Sequence, residues 1–199
     1  MLSLLYLTLA EPETQKKLLE SRDKRLEDAI SRLANGSKDA LTEIYEETRC
    51  SVYGFALSIL KRPADAEDAM QDTYVALYTH ASSYKPQGKP LAWILTVTRN
   101  FCLKSLKKND RVSPLEEDWE RYVDENSDES NQAEKRMILL DMLKALSDEE
   151  RQIITLHAVS GMKHRQIAEL LDMPLSTVLS KYNRAIKKIR NNVEGGNRE

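Results

Sequence analysis

Residues 162–190 read MKHRQIAELLDMPLSTVLSKYNRAIKKIR, and the pattern is that of two short helices joined by a turn. Ile167, Ala168, Leu170 and Leu171 place apolar groups on one face of a first helix. Asp172, Met173 and Pro174 interrupt it, because proline cannot continue a helix and restricts the residue before it. Ser176 or Thr177 is then expected to cap a second helix by accepting from its free backbone N–H groups. Val178, Tyr182, Ile186 and Ile189 form the inner stripe of that helix, and Ala168 is small where the two would cross.

The outer face of this helix-turn-helix is basic. Lys163, Arg165, Lys181, Arg184, Lys187, Lys188 and Arg190 are opposed only by Glu169 and Asp172. A solvated helix can carry such charge, but on a helix-turn-helix it is also what neutralises DNA phosphates. Ser176, Thr177, Leu179, Ser180, Lys181 and Arg184 are the positions from which base edges or phosphates can be reached.

Working outward, the 199-residue chain is 31% charged, 41% hydrophobic and only 6% aromatic, with six glycines and six prolines. This favours helices over a turn-rich β fold. The net charge is −2, so any attraction to nucleic acid must come from local patches. Cys50 and Cys102 form no C-x-x-C pair and are expected as reduced thiols. His80, His157 and His164 show no ligand spacing, and no metal or cofactor is expected. The apolar start, MLSLLYLTLA, is shorter than the roughly 20 residues of a membrane span and lacks a basic lead or cleavage pattern. A tail, a helix packed on the body and a rarely used upstream start are its three readings.

A helix is expected over 13–33, with Asn35-Gly36 as its stop and Ser37 as the next cap. A second helix covers 38–60. Pro63 then falls in the first turn of a third, 64–80, where its missing N–H costs nothing. Asp65, Asp68, Gln71 and Asp72 line one face of this third helix, opposite Ala66, Met70, Tyr74 and Leu77. Early carboxylates suit the helix dipole, and an acidic face is either solvated or a dock for a basic partner. A loop, 82–89, leads to a helix over 91–108 that Pro90 opens and that ends in Lys104, Lys107 and Lys108. Tyr84 in the loop, Trp93 and the basic helix end could stack bases and meet phosphates; a buried tryptophan and a satisfied dipole are the competing readings. Residues 109–133 are strongly acidic, with Trp119 and Tyr122 as aromatic exceptions, and are expected as a flexible linker. The helical period resumes over 132–146, Ser147 and Glu150 form a capping box, and Gly161 ends the helix before the helix-turn-helix.

Two blocks of this pattern resemble a known family. NGSKDALTEIYEETRCSVYGFALSIL, RPADAEDAMQDTYVALYTHA and KPLAWILTVTRNFCLKSLKK, followed by LKALSDEERQIITLHAVSGMKHRQIAELLDMPLSTVLSKYNRAIKKIR, resemble regions two and four of the bacterial extracytoplasmic-function (ECF) sigma factors of the sigma-70 family. The implied fold is all-α: two small helical domains joined by a flexible acidic linker. The implied division is an N-terminal extension (1–25), sigma region two (26–108), the linker (109–133), sigma region four (134–191) and a tail (192–199).

The resemblance implies roles for particular residues. Asp65, Glu67, Asp68, Gln71 and Asp72 match the helix that docks on the β′ subunit of core RNA polymerase. The loop with Tyr84, Lys85 and Lys89 matches the one that captures a flipped base of the minus-ten element, and Trp93, Arg99, Asn100 and Lys104 match the helix beside the melted strand. Ser176, Thr177, Leu179, Ser180, Lys181, Arg184 and Lys188 fall on the helix that reads the minus-thirty-five element. The acidic linker matches a segment threaded through the core enzyme. Leu179 and Lys181 stand where relatives commonly carry arginine, and Asp172 where the turn often has glycine. A leucine cannot make the bidentate guanine contact of an arginine.

The expectation is therefore a promoter-specificity subunit acting in transcription initiation and stress response. It has no catalytic activity, small-molecule substrate or membrane span of its own. Its partners are the β′ and β subunits of core RNA polymerase, promoter DNA and an anti-sigma factor. The latter would hold a cytoplasmic protein inactive, near the membrane in some cases. The competing expectation is a dimeric helix-turn-helix regulator that binds duplex DNA without polymerase.

Overall fold

A computed structural model of the chain describes residues 12–109 and 145–195. Every regular element among them is helical. The expected linker, with Trp119 and Tyr122, the apolar start and most of the expected helix over 132–146 lie outside the described residues.

The first block has four helices: α1 (Pro12–Ala34), α2 (Asp39–Leu60), α3 (Pro63–His80) and α4 (Pro90–Asn109), with a 3-10 turn (Ala81–Ser83) after α3. Helix α1 buries Leu26, Ala29, Ile30 and Leu33 at helical spacing and stops at Gly36, whose φ of 91° suits a residue without Cβ. There the Gly36 N–H reaches the Leu33 carbonyl at 2.9 Å and the Ser37 N–H reaches that of Arg32 at 3.0 Å. The Ser37 N–H thus belongs to the closure of α1. The expected Ser37 cap is corrected accordingly: Lys38 holds the cap position of α2, with no side-chain cap bond. Helix α2 ends at the left-handed Lys61 (φ 63°), and Pro63 opens α3 as expected. Phe55, Ile44, Val52, Leu77, Ile94 and Leu95 are wholly buried, each worth roughly 1.5–3 kcal/mol over exposure.

A polar pair is buried within this core. Thr48 Oγ1 donates to the Ile44 carbonyl at 2.6 Å, so its 2.9 Å contact with Tyr74 is one in which the phenol donates. That bond ties α3 to α2 in one rotational setting.

The second block holds α5 (Asp148–Ala158), α6 (His164–Leu171) and α7 (Leu175–Gly195). Ser147 and Glu150 form the capping box of α5, the Ser147 N–H donating to Glu150 Oε2 at 2.9 Å. Gly161 (φ 67°) turns the chain into α6. The α6–α7 turn rests on Asp172, left-handed at φ 56° and ψ 50°, a conformation that aspartate tolerates better than most residues. Helix α7 starts at Leu175, so Ser176 and Thr177 lie inside its first turn and do not cap it. The Pro174 carbonyl takes up the Thr177 and Val178 N–H groups instead, at 3.0 and 3.1 Å. Among the described side chains of α7, Val178 and Ala185 are fully buried, while Tyr182, Ile186 and Ile189 are half-buried.

The two blocks lie against each other and share one continuous buried cluster. A Cβ added to Gly54 of α2 would stand only 3.4 Å from Thr155 Cγ2 of α5. Arg22 Nη1 donates to the Ser160 carbonyl at 2.8 Å, Lys61 pairs with Asp148 at 3.0 Å and Lys89 with Glu169 at 2.8 Å. No helix among the described residues is long and apolar enough to cross a membrane.

Three rings join the helices of the second block. His157 and His164 stack at 4.5 Å, and each meets Tyr182 of α7 edge-on, at 5.0 and 4.6 Å. The His157 Nδ1 lies 2.9 Å from the Met162 carbonyl, which can only accept, so that nitrogen carries the proton. Burial, and then the neighbouring His157, hold His164 below the usual histidine pKa. The unfolded chain therefore takes up the proton more readily. The stabilisation is complete above the ordinary histidine pKa and is lost as pH falls through the lowered one. The thermal midpoint should drop between about pH 7.5 and about pH 5.5, and His164→Phe should shrink that drop. An unchanged drop in the variant would show that the ring stack is not its source.

Candidate functional site

Helix α3 carries the acidic strip. Because Ala66, Ala69, Tyr74 and Leu77 are buried, Glu67, Asp68, Gln71 and Asp72 are turned to solvent. Asp65 is half-buried and held by Arg62 at 3.2 Å. Beside the strip runs an apolar groove of about 920 Å³ between α2 and α3, lined chiefly by Leu41, Tyr45, Tyr53, Met70, Tyr74 and Tyr78. Glu67 and Gln71 belong to both strip and groove. Sequence reasoning missed this groove. Its signal was available: Val75 and Tyr78, 58% and 48% exposed, are large apolar residues three positions apart, outside the buried register. An apolar channel edged by carboxylates suits an elongated partner with apolar and basic groups along one face.

A second surface forms around the loop at 84–89. The Tyr84 ring sits 4.9 Å from that of Trp93, and both are half-buried. The Tyr84 hydroxyl donates to Glu27 Oε1 at 3.0 Å. Burial, and then the bond to that carboxylate, raise the phenol well above its ordinary pKa. Lys85, Pro86, Gln87 and Lys89 are exposed. Tyr84, Lys85, Lys89 and Trp93 share a cavity of about 410 Å³ with Gln166, Glu169 and Leu170 of α6. On its other side Trp93 joins Asn100 and Lys104 around a cleft of about 360 Å³. Arg99 is half-buried and lines neither. Five of the other six expected single-strand residues are thus gathered around Trp93.

The third surface is the outer face of α7. Ser176, Leu179, Ser180, Arg184 and Lys188 are exposed, and Thr177 and Lys181 are half-buried. Lys181 pairs with Glu149, and Lys188 with Glu150 at 2.7 Å. Burial pushes the Glu150 carboxyl up, but the Lys188 ammonium and the Ser147 N–H outweigh it and leave the group below its ordinary pKa. Arg184 and Lys187 have no ion pair among the described residues and are open to phosphate. Hydroxyls near the helix start and cations further along are groups that fix a helix on duplex DNA.

No group of three or more metal-binding side chains gathers among the described residues.

The family profile described as Sigma-70 region 2 matches residues 44–112, and that of Sigma-70, region 4 matches residues 136–189. The ECF RNA polymerase sigma factor SigK of Mycobacterium sp. (strain KMS) is 28% identical over 168 residues, covering 81% of this chain and 87% of its own. SigK of Mycobacterium tuberculosis (strain ATCC 25177 / H37Ra) is 26% identical over 175 residues, covering 83% and 92%. In fold, the chain is similar to CnrH, solved in complex with the cytosolic domain of CnrY, with a TM-score of 0.62 at 18% identity over 86% of this chain and 98% of that one. It is also similar to the sigma factor RpoE of Bartonella quintana, solved with the anti-sigma factor NepR, with a TM-score of 0.56 at 20% identity over 76% and 97%. With both regions matched in order on one chain, and with ECF relatives spanning both, the chain belongs to the sigma-70 family of RNA polymerase sigma factors, in its extracytoplasmic-function branch.

Proposed function

We propose that this sigma factor docks on core RNA polymerase through α3, reads duplex promoter DNA with α7 and holds the melted minus-ten strand at the loop and α4. The observation that carries this reading is that each matched region presents its expected contact groups outward. Asp68 and Asp72 are exposed on α3 in the first, and Ser180 and Arg184 on α7 in the second. Glu67, Gln71 and the half-buried Asp65 complete the polymerase face, and the apolar groove beside them extends it. The chain is proposed to have no catalytic activity, the polymerase making the RNA. RpoE of Bartonella quintana was solved with an anti-sigma factor, and a partner of that kind is proposed to hold this chain inactive in the cytoplasm.

Duplex binding rests mainly on phosphate neutralisation. Leu179 is 41% exposed but offers no hydrogen bond to a base edge. Arg184 is ready to meet a phosphate, whereas Lys181 and Lys188 must first leave Glu149 and Glu150. Each cation that neutralises a phosphate adds about one to the slope of log affinity against log salt.

The whole reading is tested by mixing the purified protein with core RNA polymerase and running gel filtration. A stable complex is expected, and its absence overturns the reading in favour of a polymerase-independent regulator. Asp68→Arg or Asp72→Arg should weaken that complex while circular dichroism stays unchanged, since reversing an exposed charge costs little stability. Loss of helical signal would make the carboxylates structural. In filter binding to promoter duplex, Arg184→Ala should lower the salt slope by about one and Lys188→Ala by less, because Glu150 competes for that lysine. Equal losses would mean that the internal pair does not hold Lys188 back.

A further inference from the structure

The exposed part of the loop is short. Its entry is fixed by the Tyr84 N–H bond to the Ala81 carbonyl at 3.1 Å, and its exit by the buried Pro90 that opens α4. Between them Lys85, Pro86 and Gln87 stand in solvent. One oxygen from elsewhere brackets this segment. Glu27 Oε1 accepts from the Tyr84 hydroxyl at 3.0 Å and from the Gly88 N–H at 2.8 Å. The two donors lie on either side of residues 85–87. Gly88 is left-handed at φ 67°, a conformation that a side chain would strain. Glu27 sits on α1 among Leu26, Ala29 and Ile30, which are at most 2% exposed, so its backbone is anchored in the core. Hydrogen bonds to a carboxylate are stronger than those between neutral groups.

We propose that Glu27 is a positioning residue: by holding Tyr84 and Gly88 together it presets the shape of residues 85–87, and so decides which unpaired base the loop accepts. This rests on the base-capture reading of the loop given above. Capturing an extruded base requires a pocket already in place, because unstacking the base is itself unfavourable. A loop released from Glu27 would have to be ordered by the base, and a disordered receptor discriminates poorly between bases. Tyr84 then acts as one post of the bracket, its ring braced on Trp93 and its hydroxyl spent on Glu27.

The test uses holoenzyme assembled with core RNA polymerase on a panel of promoters in which each minus-ten position is changed in turn to all four bases. Permanganate reactivity reads strand opening. The wild type should show a preference at the captured position. Glu27→Ala should reduce that preference about tenfold, the scale set by losing hydrogen bonds to a charged group, and leave preferences at the other positions as they were. Glu27→Gln keeps a carbonyl oxygen for both donors and should restore most of it. Tyr84→Phe keeps the ring on Trp93, removes one donor and should give a partial loss.

An undiminished preference in folded Glu27→Ala overturns the proposal. If that variant fails to fold, Tyr84→Phe decides, and a full preference there overturns it. A loss spread evenly over all positions also overturns it, since that would mark a merely structural role. The double substitution Lys85→Ala/Gln87→Ala separates the two levels. If it leaves every preference intact, the base-capture reading falls and the proposal with it. If it removes the preference and Glu27→Ala does not, only the positioning role falls.

Discussion

A helix leaves its last carbonyls without intrahelical partners, and a fold built only of helices must solve that problem at every reversal of the chain. After α3 a 3-10 turn does so, and elsewhere the solution is a left-handed residue. Gly36, Lys61, Gly161 and Asp172 take φ values between 56° and 91° at or just beyond helix ends. At Gly36, Lys61 and Asp172 the backbone N–H folds back onto the preceding turn. The reversals this permits are only a few residues long, so α1 lies on α2 and α6 crosses α7. Two of the four positions lack glycine. Asp172 is the more consequential, since the crossing of α6 and α7 sets the direction in which Ser180 and Arg184 point.

The parts of the structure that depend on neighbours in the chain were legible in the sequence. Pro63 at the start of α3, the Ser147 and Glu150 capping box and the Gly161 stop all lie where local rules put them. The capping of α7 was misread because the rule favours hydroxyl side chains, while the Pro174 carbonyl already occupied the N–H groups they would serve. Ala185 escaped notice because alanine is neutral in a hydrophobic pattern, although it lies seven residues beyond Val178 on the same face. Glu27 carried no signal, its partners being 57 and 61 residues away. The same holds for Gly54, whose lack of a side chain acquires meaning only once α5 is seen beside it.

Charge in this protein has two competing uses. Glu149, Glu150 and Glu169 hold Lys181, Lys188 and Lys89, three of the cations expected to meet DNA. Two of these pairs lie within the second block, while the Lys89 pair joins the loop of the first block to α6. A net charge of −2 therefore conceals local basic surfaces whose lysines are partly neutralised at rest. On the proposed reading, binding DNA exchanges one partner for another, so affinity depends on the difference between carboxylate and phosphate as much as on the number of lysines.

Helix α7 separates the residues that fold it from those that face outward. Val178 and Ala185 are buried without remainder, and Ser176, Leu179, Ser180 and Arg184 are exposed. Substitutions on the outward set leave the core untouched and cost little stability. If α7 reads DNA as proposed, selection can therefore rewrite its sequence preference one residue at a time, every intermediate remaining folded. After gene duplication, two copies of this scaffold can diverge towards different promoters long before their cores differ.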